Sequence, residues 1–224
     1  MNFNLDNMYD TLGYVEITWT NAGQHTDWWG YRVYRMYEGD NDWVLIHQTS
    51  NQQGSYFYRD YLAPSLDTPA YVVVEVIEQG GSLSELSYDP QVTYVETSYY
   101  WIIHVEGGTA FRLYNVKTDS FKTEYEEEVI HLIGRGRKVD TGDRIGVEGS
   151  LSAKLRDRHD GLTGRQQRFT LENTRSHQEL LHLRNPFGDV WPVNLSDISF
   201  EREAGVGHRE FLDVSFEYYE VVGA

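Results

Sequence analysis

The chain has 224 residues, 19 Lys+Arg against 35 Asp+Glu for a formal net charge of −16, and no cysteine. That length fits one or two domains, each able to bury a core. The charge disfavours general attraction to a nucleic-acid backbone. The missing thiols exclude disulfide frameworks, Cys-ligated zinc, iron–sulfur clusters and thiol nucleophiles. The opening MNFNLDNMYD has neither the basic nor the apolar part of a signal peptide, and no run reaches the roughly 18 apolar residues of a membrane span. The expectation is a soluble protein with no membrane insertion. Aromatic residues at 14%, with 20 Gly and only 5 Pro, favour strands and turns over helical bundles.

In chain order, alternation of apolar and polar residues predicts a series of strands. Val15, Ile17 and Trp19 share one face of a run at 14–19, and Tyr31–Tyr34 makes a second. Gly39-Asp40-Asn41-Asp42 is a hairpin turn leading into a third run, Trp43–His47. Gly54–Tyr61, Ala70–Glu78 and Leu86–Val95 follow, the last beyond the turn Gln79-Gly80-Gly81-Ser82. The nearly continuous apolar run Tyr71–Val76 predicts a central strand covered on both faces. Together these runs predict a sandwich of immunoglobulin size. Ile17-Thr18-Trp19, Gly30-Tyr31-Arg32-Val33-Tyr34-Arg35, Tyr58-Arg59-Asp60 and Ala70-Tyr71-Val72-Val73 before a Gly-Gly-Ser turn resemble a fibronectin type III module over about 10–96. The resemblance implies a binding or spacer unit without chemistry of its own.

Residues 1–97 hold 3 Arg, no Lys and 14 acids, a net of −11, whereas 98–224 hold 16 basic and 21 acidic residues, a net of −5. The boundary is placed at Glu96-Thr97-Ser98, giving domains 1–97 and 98–224, the first expected to be self-contained. In the second, strands are predicted at 99–105 and 109–116, then a polar acidic stretch Lys117–Glu128, a strand Val129–Ile133 and a basic loop Gly134–Lys138. A strand at Arg144–Ser152, a short helix over Gly164–Ser176, and strands at Glu179–Arg184, Val190–Phe200 and Glu210–Val222 complete the reading. The predicted fold is mainly all-β: a sandwich followed by an antiparallel sheet with one short α-helix.

Arg165-Gln166-Gln167-Arg168-Phe169, then the hairpin from Leu180 through Arg184-Asn185-Pro186-Phe187-Gly188-Asp189 to Val193, then Ala204-Gly205-Val206-Gly207, Asp213–Glu217 and a closing Glu220-Val221 resemble minor tail proteins of long-tailed bacteriophages over about 100–222. This resemblance implies the split β-barrel of tail-tube and distal-tail subunits. It also implies a structural, non-enzymatic virion protein of the tail tip, made in the host cytoplasm and assembled as a sixfold ring around the DNA channel. Neighbouring tube and hub proteins would be its partners, and DNA would pass without specific binding. Strands of neighbouring subunits are expected to complete one another's edges into the barrel. The other reading is a cell-surface glycan-binding adhesin module of the tail tip.

Candidate sites are few. Residues 135–175 carry ten basic and six acidic residues. Arg135, Arg137, Lys138, Arg144, Arg156 and Arg158 of that strip are the candidates for contact with an acidic neighbouring subunit. Trp28 and Trp29 could offer an aromatic platform to a sugar, against the plainer reading that one of them fills the core beside Tyr31. Pro186, Phe187, Gly188 and Asp189 read as a structural turn. His177 and His182 lack the spacing for one strand face, and Glu124, Glu126, Glu127 and Glu128 read as a solvated run rather than a glycosidase pair. No cofactor or metal is expected.

Overall fold

The computed structural model describes residues 3–20, 27–87, 89–132, 136–157, 162–176, 179–202 and 211–221. The chain divides into two units, Met1–Tyr99 with Arg184–Val190, and Tyr100–Leu183 with Trp191–Ala224.

The first unit contains β1 (Phe3–Met8), α1 (Tyr9–Leu12), β2 (Tyr14–Thr20), β3 (Trp28–Met36), β4 (Val44–Thr49), β5 (Ser55–Asp60), β6 (Ala70–Gln79), β7 (Ser82–Ser87) and β8 (Gln91–Val92). One sheet runs β1-β2-β5, the other β4-β3-β6-β7 with β8 on β6. Period-two alternation sends Phe3, Val15, Ile17, Trp19 and Tyr56 from one sheet and Tyr31, Val33, Tyr71 and Val73 from the other into a single core. Trp19 stacks on Tyr56 with centroids 5.5 Å apart, and Tyr31 meets both rings nearly edge-on. β6 is central, and Val72, Val73, Val74 and Val76 are all buried, as its apolar run predicts.

The first unit differs from the sequence reading at β1, at α1, which the sequence reading does not include, and at its last hairpin. β1 was not foreseen, because it alternates only over Phe3 and Leu5 before turning polar. The last hairpin is tighter than expected: Gly80 and Gly81 adopt φ of 61° and 80°, a two-residue left-handed turn. β7 therefore starts at Ser82, and the predicted run Leu86–Val95 retains only the end of β7 and the short β8.

The second unit contains β9 (Tyr100–His104), β10 (Thr109–Leu132), β11 (Gly136–Arg156), α2 (Gly164–Ser176), β12 (Leu181–Arg184), β13 (Val190–Arg202) and β14 (Phe211–Glu220). The strands close into a barrel in the order β10-β11-β14-β13-β12-β9. Its interior is filled by Ile102, Phe111, Leu113, Val147, Leu151, Leu155, Leu183, Val193, Val214, Phe216 and Tyr218. Leu171 of α2 packs on the same core. The helix starts where the sequence places it because Thr163 and Gln166 form a reciprocal cap. The Gln166 amide donates to Thr163 Oγ1 at 3.2 Å and the Thr163 amide to Gln166 Oε1 at 2.8 Å. At Asp197, with φ of 45°, the β13 register slips by one residue, which returns Ile198 and Phe200 to the core side after Leu195.

The chief departure is β10. The expected polar stretch Lys117–Glu128 and the strand Val129–Ile133 merge into one 24-residue strand, paired with the 21-residue β11 as far as Leu132 opposite Gly136. The residues of the basic loop from Gly136 onward belong to β11. Cross-strand partners carry this polar segment, and no local apolar period announces them. The barrel is also closed within one chain, so a neighbour's strand is not required to complete it, contrary to expectation.

Candidate functional site: assembly surfaces

Of the predicted basic contacts, Arg135 and Arg158 lie outside the described residues, and so do the side chains of Arg137, Lys138 and Arg144 on β11. Arg156 ends β11 exposed, its guanidinium 5.6 Å from the centre of the Tyr114 ring. Other cations of the unit have partners within it: Lys154 lies 3.8 Å from Asp213, and Arg168 pairs with Glu172 at 2.8 Å. Glu124 shares Lys122 with Glu148, each at 3.0 Å, so it belongs to a cross-strand ion pair rather than a catalytic acid pair. The side chains of Glu126, Glu127 and Glu128 are outside the described set, as is His177. His182 is half-buried on β12, and burial lowers its pKa.

Trp28 is half-buried against the sandwich core with its ring 5.6 Å from Tyr31, while Trp29 lies under the Arg32 guanidinium at 5.8 Å. The two indoles thus serve different surroundings rather than one platform.

The outward rows of the barrel form a polar face that the sequence reading missed. Thr118 pairs with Ser152 at 2.8 Å, Ser120 with Ser150 at 2.9 Å and Ser199 with Ser215 at 2.7 Å, hydroxyl to hydroxyl across strands. A shallow cleft of about 380 Å³ beside these rows is lined by Lys122, Glu148, Glu217 and Tyr219 among others. Short hydroxyls with more carboxylates than ammonium groups make a hydrated wall that repels phosphate. A second cleft of about 370 Å³ is lined by Ile198 and Phe200 of β13 and by Glu172 and Arg175 of α2. The Arg168 guanidinium caps Phe200 at 5.3 Å.

The turn at 185–189 is held from inside. Asn185, 1% exposed, donates from Nδ2 to Asp189 Oδ2 at 2.7 Å, and its Oδ1 accepts the Phe187 and Asp189 amides at 3.0 and 2.9 Å. Gly188 takes φ of 105° there, which a side chain would resist. The preceding Arg184 is fully buried in the first unit. Its Nη1 donates to Tyr61 O at 2.8 Å and Gly13 O at 3.1 Å, and its guanidinium lies 3.9 Å from the centre of the Tyr9 ring. Burial pulls its pKa down to about 10, which still leaves it charged near neutrality. A second buried cluster surrounds Asp60, which accepts two bonds from Arg35 Nη1 at 2.9 and 2.7 Å and one from Tyr71 at 2.8 Å. Phe187, by contrast, is 72% exposed.

No protein-family model and no curated protein matches the chain. Among solved structures it is similar, at 15% identity and a TM-score of 0.36, to a chain of the "Tail of empty GTA particle computed with helical refinement, C6 symmetry", covering 56% of this chain and 91% of that one.

Proposed function

We propose that the protein is a structural, non-catalytic subunit of a long-tailed phage tail, a ring-former of the distal or tip region that needs no cofactor. The observation that supports this most is the closed six-stranded barrel from which one hairpin continues. The pairing of β11 with β14 covers Glu148–Arg156, while its pairing with β10 continues to Gly136. Beyond Glu148 the described ladder of β11 is with β10 alone, so the outer edges of this two-stranded ribbon are available to the strands of adjoining subunits. The barrel itself buries its core within one chain. The tail-protein pattern at Arg165–Phe169 and Leu180–Val193 supports the same reading. The hydroxyl-and-carboxylate face suits a channel wall along which DNA slides without sticking.

The sandwich is the peripheral unit in this proposal. Its strand order, β1-β2-β5 facing β4-β3-β6-β7, supports the fibronectin type III resemblance. Each of its three arginines has an internal carboxylate partner: Arg32 with Glu85, Arg35 with Asp60 and Arg59 with Glu16. The remaining acids keep that unit strongly negative, which suits a solvated exterior. The test is electron microscopy of the purified chain and of tails. Rings of about six copies, lost when residues 124–146 are replaced by a short Gly-Asn turn that keeps the Thr123–Val147 pair and the barrel core, are expected. A monodisperse monomer at every concentration, with no matching density in tails, would sink the proposal.

A further inference from the structure

We infer that the cleft on the β1-β2-β5 sheet that holds Phe57 is a binding site for the neutral sugar rings of a glycan. The inference stands on the sandwich alone and holds whether or not the barrel forms rings.

Strand register assembles the site. Phe3, Trp19 and Tyr56 lie opposite one another across the three strands, and the next row sets Asn4 beside Thr18 and Thr18 beside Phe57. Period two sends the first row into the core and turns the second outward, with Glu16, Ser55 and Arg59 on the same outer side. A cleft lined by both rows has a volume of about 620 Å³, within the range of roughly 300–1,000 Å³ typical of small-ligand sites. Phe57 is 62% exposed there. Single exposed apolar residues are ordinary, so its surroundings decide the matter. The Arg59 guanidinium lies 5.3 Å from the centre of the Phe57 ring and 4.8 Å from that of Tyr14, and its Nε donates to Glu16 Oε2 at 2.8 Å. Asn4 is held by a bond from Nδ2 to Asp6 Oδ2 at 3.2 Å. Polar groups fixed in place beforehand lower the entropy cost of binding.

Charge and hydrogen-bonding capacity select the ligand. Among the described residues lining the cleft, Glu16 and Arg59 alone are charged, and they pair with each other. The lining is therefore neutral within a sequence half, residues 1–97, that carries a net of −11. A polyanion is repelled by that half at large, and a cationic segment finds the one lining carboxylate already engaged. A protein partner needs a contiguous apolar centre, whereas Phe57 is the one exposed apolar residue of this lining. An exposed ring among hydroxyl, amide, carboxylate and guanidinium groups matches a pyranose. The apolar C–H face of the sugar lies on the phenyl ring, and its hydroxyls exchange hydrogen bonds with Thr18, Ser55 and the Glu16–Arg59 pair, which sets an acceptor beside donors. Trp19 adds an independent mark. It is 2% exposed and lines this cleft, and its indole N–H, which can only donate, has no acceptor among the described residues. An acceptor oxygen brought into the cleft is what that donor lacks.

The test uses the full-length protein on an array of neutral and acidic oligosaccharides, followed by calorimetric titration with the best neutral binder. Saturable binding to a neutral glycan is expected. F57A, a change at an exposed strand position, should weaken it about tenfold or more while leaving the circular dichroism unchanged. T18V, which keeps the shape and removes the hydroxyl, should also weaken it, and W29A on the other sheet should bind as the parent does. Binding to no glycan, or to acidic glycans alone, overturns the inference. So does a neutral glycan that F57A binds as tightly as the parent, or one whose binding is lost in W29A and kept in F57A. Self-association altered by F57A in a chain that binds no glycan would mark a protein contact instead and refute the site.

Discussion

Replacing Arg184 by Met tests whether a buried cation stabilises the first unit. The substitution keeps the apolar stem and removes the charge. Gly13 O and Tyr61 O lose their donor, at about 1–3 kcal/mol each for a buried unsatisfied carbonyl, and the desolvated contact with Tyr9 is worth about 2 kcal/mol. Against this, burial of the charge is relieved. The lowering of the Arg184 pKa by burial, to about 10, puts that relief at about 3 kcal/mol. Taking the middle of the carbonyl range, the loss of about 6 kcal/mol exceeds the gain and leaves a destabilisation of about 3 kcal/mol. With a urea m-value of about 2 kcal/mol per molar, the midpoint should fall by about 1.5 M. Near-ultraviolet circular dichroism of the Trp19–Tyr56 stack follows the unfolding of this unit. A midpoint unchanged or raised would show that the charge is a net burden and that the two carbonyls find other donors.

Gly149→Ala should destabilise the barrel by about 2 kcal/mol, because its Cβ would lie 2.5 Å from the Tyr218 ring and 2.6 Å from the Ser120 carbonyl. Gly54→Ala, with no atom within 4 Å, is the near-neutral control, and thermal melts compare the two. Alkaline pH should destabilise the sandwich. Burial raises the Tyr9 and Tyr71 phenols above their ordinary 10.0 and pushes Tyr58 up to about 12. The unfolded chain therefore loses these protons first, and the stability they contribute is whole below pH 10 and declines as pH rises through the folded values. Urea midpoints that stay level from pH 9 to about 12 would contradict that assignment.

Parts of this architecture were legible because their signals are local. Thr163 and Gln166 announce α2, and the valines of β6 announce a strand covered on both faces. Gly80-Gly81 signals a hairpin, although its two-residue geometry shifts β7 earlier than the apolar residues imply. The length of β10 was hidden because Thr118, Ser120, Lys122 and Glu124 are polar outward residues whose pairing is decided by β11. The hydroxyl rows emerge only from register, since Ser199 meets Ser215 and Ser150 meets Ser120 across intervals with no motif. Arg184 is the least readable. After Leu181 and Leu183 on core positions, period two sends it outward, yet its partners are carbonyls 171 and 123 residues earlier. The Pro-Phe-Gly-Asp turn could be read, but the exposure of Phe187 and its rigid support could not.

The same long-range bonds bear on the order of events during synthesis. The first unit's own strands are complete once Tyr99 has been made, but the segment that supplies Arg184 ends about 90 residues later, at Val190. At roughly 5–20 residues per second, the ribosome needs about 5–20 s to reach it. Through that interval the nascent sandwich holds the Tyr9 ring and two carbonyls without their arginine. The part of the protein translated first is thus finished last, and its final closure waits on chain that must also build the barrel's β12–β13 hairpin.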